Sequence, residues 1–351
     1  MQNYPLFDKE YIRENKDFEL HRYFGQYLHF TDNLVNQIQF LSQDRSEICL
    51  SFYPIAKNIR FPASYMTQNI LLGRSSYIDN MARNGEPHFW KEYKQMGDWF
   101  PWLWARGRIP DHFKNIDGWK YYFNSFTDFA LPNKISITEN KPVCPPNELL
   151  QFFTYLSCTK YVFQLNDKYE KQMQHFMTKM EWPVNANILA VQIRRGETCT
   201  KDGSMTDRPF YNLDAYIASI EKMMIHNQYD YIYVSTDSDE EINKIQELRP
   251  EWKLLFLPID RSQFFRMNEK PVDLEVFCSL EPERIPFIVD TGLADLYFIS
   301  QCNGYISTIS VSEFSRCGWF LQIATRGRLT PYINMNDEIL DMTKRDKLLL
   351  L

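Results

Sequence analysis

"NILAVQIRRGETCTKDG", residues 187–203, is the stretch on which the fold turns. Ile188 to Ile193 are aliphatic or small except for Gln192, and the run is bounded by Asn187 and Gly196, so it reads as a buried strand of a parallel sheet. Arg194 and Arg195 then stand at its carboxyl end. In open α/β sheets ligands bind in the crevice outside the carboxyl ends of the strands, so two guanidinium groups there point to an anionic ligand. The plainer alternative is a pair of solvated charges closing a strand.

From this strand onward the pattern is regular. A helix is expected over 211–227, a strand over 229–236, a helix over 239–248, a strand over 252–258, a helix over 286–301, a strand over 304–310 and a last helix over EFSRCGWFLQIAT. Strands alternating with helices at this spacing mean βαβ units with right-handed crossovers, a nucleotide-binding domain of roughly Rossmann plan. Upstream, ELLQFFTYLSCTKYVFQLN and 166–180 read as two helices that follow the proline-rich turn KPVCPPNE at 141–148.

Residues 1–140 have a different texture, rich in aromatic side chains and short of clean periods. A helix is expected over 29–43, capped by Thr31 or Asp32, and a strand over 48–56. The cluster at 89–113, with Trp90, Trp99, Trp102 and Trp104, and with Trp119 just beyond it, suits either core packing or a sugar-stacking surface. His88 and His112 read as structural.

At 351 residues the chain is longer than one core usually serves, and two domains are expected, 1–184 and 185–351. A formal net charge of −6 and a pI near 5.6 argue against nucleic acid as a partner, since that binding works by neutralising phosphates. Any anion site must therefore be local. No apolar stretch reaches the ~18 residues of a membrane span, and the start lacks a signal peptide's apolar core. Seven scattered cysteines without a C-x-x-C suit a reduced, cytoplasmic setting. There is no G-x-x-x-x-G-K-[ST] and no G-x-G-x-x-G, so if a diphosphate is bound, arginines must supply the charge.

Three segments carry a resemblance. "AVQIRRGE" resembles the H-V-R-R-[TG]-D segment of the fucosyltransferase superfamily that uses GDP-fucose, most closely the α1,6-fucosyltransferases and the rhizobial chitin-oligosaccharide fucosyltransferases. "YIYVSTDSDEEI" is similar to that family's strand ending in T-D-[DS], and "LADLYFISQCNGYISTISVSEFSR" to its D-x-x-x-L-S block. They occur in the same order, and with the helix "YLSCTKYVFQLNDKYEKQM" the likeness covers about residues 152–326.

The resemblance implies a GT-B architecture, two Rossmann-like domains facing a cleft, with an N-terminal acceptor-side domain and a C-terminal domain that holds GDP-sugar. It implies an inverting fucosyltransferase that needs no metal and no cofactor beyond GDP-fucose as donor, with a glycan or glycoconjugate as acceptor. Arg194 or Arg195 would hold the β-phosphate, and Gln192, Thr236, Asp237, Asp295, Thr308, Ser310 and Ser312 would line the donor pocket. An acceptor hydroxyl needs a general base. Asp202 is favoured for it over Glu197.

Some positions depart from the family's pattern: Gln192 stands in place of histidine, Glu197 in place of aspartate and Thr198 in place of lysine. The family's N-terminal G-x-G-x-Q loop has its nearest counterpart at 25–33. Simpler roles compete as well. Asp237 with Glu240 would make a capping box, Asp295 would be a helix-surface charge, Ser310 would cap the last helix, and the KDG at 201–203 would be a turn. Two other functions compete: a metal-dependent GT-A enzyme using the D-S-D of Asp237 and Asp239, and a GT-B-fold carbohydrate-binding or scaffold protein with a decayed site. A family member of this kind could also sit in the Golgi lumen as a catalytic domain without its anchor.

Overall fold

The computed structural model describes residues 17–42, 45–48, 55–78, 122–124, 143–195, 211–264, 285–309 and 312–335. They fall into two compact units, Glu19 to Lys171 and Gln172 onward. Neither tryptophan-rich stretch, with Trp90, Trp99, Trp102, Trp104 and Trp119, nor His88 and His112 lies among the described residues.

The first unit runs α1 (Asp17–Leu41), β1 (Arg45–Ile48), α2 (Ile55–Leu71), β2 (Ser75–Ile78), α3 (Asn147–Val162) and then α4 (Asp167–Lys179), which crosses the boundary between the units. β1 and β2 pair in parallel, Arg45 opposite Ser75 and Ile48 opposite Ile78, so this segment is one βαβ unit. The carboxamide of Gln39 on α1 serves the next strand position: its Oε1 accepts from the Ser76 N–H at 2.8 Å and its Nε2 donates to the Ser76 carbonyl. The helices pack through aromatic edges, with Phe24 and Tyr27 of α1 each set against Phe153 of α3.

Two expectations are corrected here. Thr31 is no cap: α1 begins at Asp17, and Thr31 lies buried within it, its hydroxyl 2.7 Å from that of Ser157. The strand expected over 48–56 is instead β1, ending at Ile48, while Ile55 and Ala56 open α2.

The second unit continues with β3 (Ile188–Ile193), α5 (Leu213–His226), β4 (Tyr231–Thr236), α6 (Asp239–Leu248), β5 (Leu254–Leu255), α7 (Ile285–Gln301), β6 (Gly304–Ser307), α8 (Glu313–Arg326) and β7 (Tyr332–Asn334). The strands form one parallel sheet in the order β5-β4-β3-β6-β7. The first strand is therefore central. The chain winds out through β4 and β5, then returns to the other side of β3 for β6 and β7. This is a doubly wound α/β sheet, the class expected, with its topological switch point between β3 and β6.

The pleat gives the sheet two different faces. On one, Leu189, Val191, Ile193, Ile232, Val234, Ile306 and Ile333 pack on Tyr216, Ile220 and Met223 of α5 and on Ile242 and Ile245 of α6. Each such aliphatic side chain contributes roughly 1.5–3 kcal/mol by leaving water. On the other face, β3 and its neighbours present Gln192, Tyr233, Ser235, Tyr305 and Ser307 toward α7 and α8. Trp182, Tyr233 and Phe298 stack there as an aromatic triangle. Gly304 opens β6 where a Cβ would run into the Tyr229 ring, and Gly327 ends α8 at φ 65°, the left-handed cap that glycine accepts without strain.

Candidate functional site

The two arginines after β3 leave the strand in different directions. Arg195 goes to the apolar face. Its Nε donates to Oε1 of Glu241 at 2.8 Å, its Nη2 to Oε2 at 3.3 Å and its Nη1 to the carbonyl of Tyr211 at 2.7 Å, with the guanidinium 5.7 Å from the Tyr216 ring centre. Both members of the ion pair are about nine-tenths buried, with side chains 10% and 11% exposed. The Arg195 backbone N–H donates to Oδ1 of Asp237 at 2.8 Å. Continuing the alternation of β3 by one residue puts Arg194 on the Gln192 side of the chain; it is half-buried, with Nε fully covered.

That side is lined with hydroxyl groups. Oε1 of Gln192 accepts from Tyr305 Oη at 3.1 Å, from Ser307 Oγ at 2.7 Å and from Ser315 Oγ, and the two serine hydroxyls lie 2.6 Å apart. Gln192, expected to line the donor pocket, thus ties β3 to β6 and to the first turn of α8. Its oxygen is already fully engaged, since an sp² oxygen has two lone pairs.

β4 brings a second polar group. Tyr233 Oη donates to Oδ1 of Asp295 at 2.5 Å. Asp295, on α7, is therefore turned toward the sheet and is not the outward helix charge that was one reading of it. Burial pushes its carboxyl up to about 6, opposed by the hydrogen bond from Tyr233, the charge of Arg261 and the Ser235 hydroxyl. Buried Arg261, unremarked in the sequence, spans the end of β4: Nε donates to the Thr236 carbonyl at 3.0 Å, Nη2 to the Leu257 carbonyl at 3.0 Å, and Nη1 pairs with Asp239 at 3.1 Å.

The capping box expected of Asp237 and Glu240 does not form. The N-cap of α6 is Ser238, Asp237 serves the Arg195 N–H, and Glu240 pairs with Lys244. The two carboxylates of the D-S-D pattern thus have separate partners, Arg195 for Asp237 and Arg261 for Asp239. Among the described residues no cluster of histidine, cysteine, aspartate or glutamate is arranged to hold a metal.

Across the switch point, α8 starts directly after β6. Ser312 is its N-cap, the Oγ accepting from the Ser315 N–H at 3.3 Å, two residues later than the serine expected to cap it. The Ser312 N–H donates to the Thr308 carbonyl at 3.0 Å, and Thr308 is half-exposed. The helix start carries partial positive charge, and Glu313 in its first turn is paired with Arg316 at 3.3 Å. Gln192, Arg194, Arg195, Thr236, Asp237, Thr308 and Ser312 are therefore gathered at the carboxyl ends of β3, β4 and β6, with Asp295 beneath them. Glu197, Asp202 and Ser310 lie outside the described residues. The segment nearest the family's glycine-rich loop, 25–33, is an internal part of α1 and so is not a loop.

Comparison with known protein families and with curated proteins finds no match. Solved structures do match. They include a NodZ α1,6-fucosyltransferase soaked with GDP-fucose, 16% identical over 79% of this chain and 91% of that one, at a TM-score of 0.40. The fucosyltransferase NodZ from Bradyrhizobium is 16% identical over 80% of this chain and 94% of its own, at 0.37. POFUT1 in complex with GDP is 15% identical over 51% of this chain and 49% of its own, at 0.30. Among the described residues no helix is long and apolar enough to cross a membrane.

Proposed function

We propose that this protein is a glycosyltransferase that moves fucose from GDP-fucose to a glycan hydroxyl, with inversion and without a metal ion. The observation that carries the reading is the placement of Arg194 at the carboxyl end of the central strand, across the switch point from the start of α8. A guanidinium and a helix N-terminus on two sides of one crevice suit a diphosphate. The three segments whose order resembles the GDP-fucose-using superfamily supply its β3, β4 and α7–α8 parts, and that likeness selects the nucleotide and the sugar.

In this reading the acceptor oxygen attacks the anomeric carbon as its bond to the β-phosphate oxygen breaks. The hydroxyl proton passes to Asp202 or Glu197, and GDP departs with the electron pair. Negative charge grows on the departing diphosphate, where Arg194 and the N–H groups opening α8 hold it in a preorganised setting. Asp295, Thr308 and Ser312 would position the nucleoside. Arg195 is the less suited of the pair to meet phosphate, because Glu241 and Tyr211 already take its donors. The N-terminal unit would recognise the acceptor.

Calorimetry with GDP, GDP-fucose and UDP in EDTA tests this. Micromolar binding of GDP without metal is the expected result. Binding of UDP that appears only when Mn²⁺ is added would overturn it in favour of the D-S-D carboxylates.

A further inference from the structure

Glu241 touches no substrate in the reading above, yet among the described residues it is a buried carboxylate, and it sits beside the proposed anion site. That is an adverse place for negative charge. It occupies the third position of α6, after the N-cap Ser238. Ser238-Asp239-Glu240-Glu241 has the S-x-x-E spacing of a capping box, in which the glutamate would return to the N-cap N–H and the serine would bond the glutamate's own N–H. Neither bond is made: Ser238 gives no side-chain cap bond, its N–H goes to the Thr236 hydroxyl at 3.2 Å, and both Glu241 oxygens go to Arg195. A local stabilising motif is thus given up for a contact to the strand end. Such a conflict between local rule and structure is a sign of function.

We infer that Glu241 is a positioning residue of the donor site, acting through Arg195 to fix the direction in which Arg194 leaves β3. This rests on the diphosphate reading of Arg194. The fork of Arg195 grips Glu241 of α6 and the Tyr211 carbonyl at the entry to α5, while its backbone N–H is fixed by Asp237 after β4. Three elements therefore hold one residue from three sides. Its neighbour Arg194 inherits that rigidity, and a donor preset within a few tenths of an ångström loses less entropy on binding.

The test separates positioning from direct contact by sign. Were Arg195 itself an anion ligand, Glu241→Gln would free it and remove a nearby negative charge, so GDP would bind more tightly. Positioning requires the opposite, a loss of about tenfold in GDP affinity by calorimetry. Arg195→Lys, which keeps the charge without the fork, should lose GDP affinity to a similar extent in the same assay. Gly304→Ala, which lowers stability at the amino end of the sheet, serves as the control: GDP affinity should hold although the unfolding temperature falls. Tighter or unchanged GDP binding in Glu241→Gln, or an equal loss in Gly304→Ala, overturns the inference. If the unsubstituted protein binds no GDP, the donor reading fails by itself. Amide hydrogen exchange at Arg195 then decides the clasp: at least tenfold faster exchange in Glu241→Gln supports it, and unchanged exchange refutes it.

Discussion

Replacing the two adjacent arginines one at a time with alanine should give opposite signatures. Arg195→Ala removes one partner of an ion pair whose side chains are 10% and 11% exposed, leaving Glu241 without its counter-charge. Stranding one member of a fully buried pair costs ~3–5 kcal/mol, and the residual exposure here moves the expectation to ~2–3 kcal/mol. For a unit of this size each kcal/mol lowers the unfolding temperature by about 2–4 °C, so a fall of roughly 4–12 °C follows. Arg194→Ala instead deletes charge-assisted bonds to a diphosphate, each worth ~1.5–3 kcal/mol. Loss of one such bond weakens GDP binding about 10- to 150-fold. Thermal unfolding without ligand and GDP calorimetry on both variants read the two effects separately. A variant Arg195→Ala that unfolds normally but no longer binds GDP would show that the assignment of the pair is reversed, and Arg194→Ala with unaltered GDP affinity would remove the anion site altogether.

Gln192→Leu should cost ~2–4 kcal/mol in urea denaturation, because the Tyr305, Ser307 and Ser315 hydroxyls lose a shared acceptor and only the serines can turn to each other; a cost under ~1 kcal/mol would mean that water replaces it. Asp295 has a folded-state value of about 6, raised from 3.8, so the stability it confers is complete below pH 4 and is lost as pH rises through 6. Asp295→Asn keeps an acceptor for Tyr233 and cannot ionise, so its stability relative to the unsubstituted protein should climb by on the order of 2 kcal/mol between pH 4 and pH 7 in urea titrations; a flat difference would contradict the raised value.

The second unit was legible because its signals are local and agree. Apolar runs such as Ile188–Ile193 and Tyr231–Thr236 alternate with amphipathic helices, and β3 to β6 fall within the runs expected. β7 was missed because Tyr332–Asn334 has three residues, too few for a period to show, and takes its place by pairing with β6. The first unit was less legible. α2 holds Pro62 inside it, a residue that argues against helix from sequence, and Thr31 resembles a cap although its hydroxyl serves Ser157 of α3. In the site, sequence could place Arg194, Arg195, Asp237 and Ser312 at strand ends. It could not find Glu241 or Arg261, whose roles depend on contacts 46 and 25 residues away.

The pair of arginines also shows why adjacency in sequence is a poor guide to shared chemistry. Successive residues of an extended chain face opposite sides of a sheet, so one apolar run ending in Arg-Arg delivers one guanidinium to each side. On the α5–α6 side the charge meets a carboxylate and is neutralised within the fold; the Gln192 side carries the Tyr305, Ser307 and Ser315 hydroxyls. In a chain of net charge −6, the described acidic groups around these strand ends each have a partner: Asp237 the Arg195 N–H, Glu241 the Arg195 guanidinium, Asp239 Arg261, Asp295 Tyr233 and Glu313 Arg316.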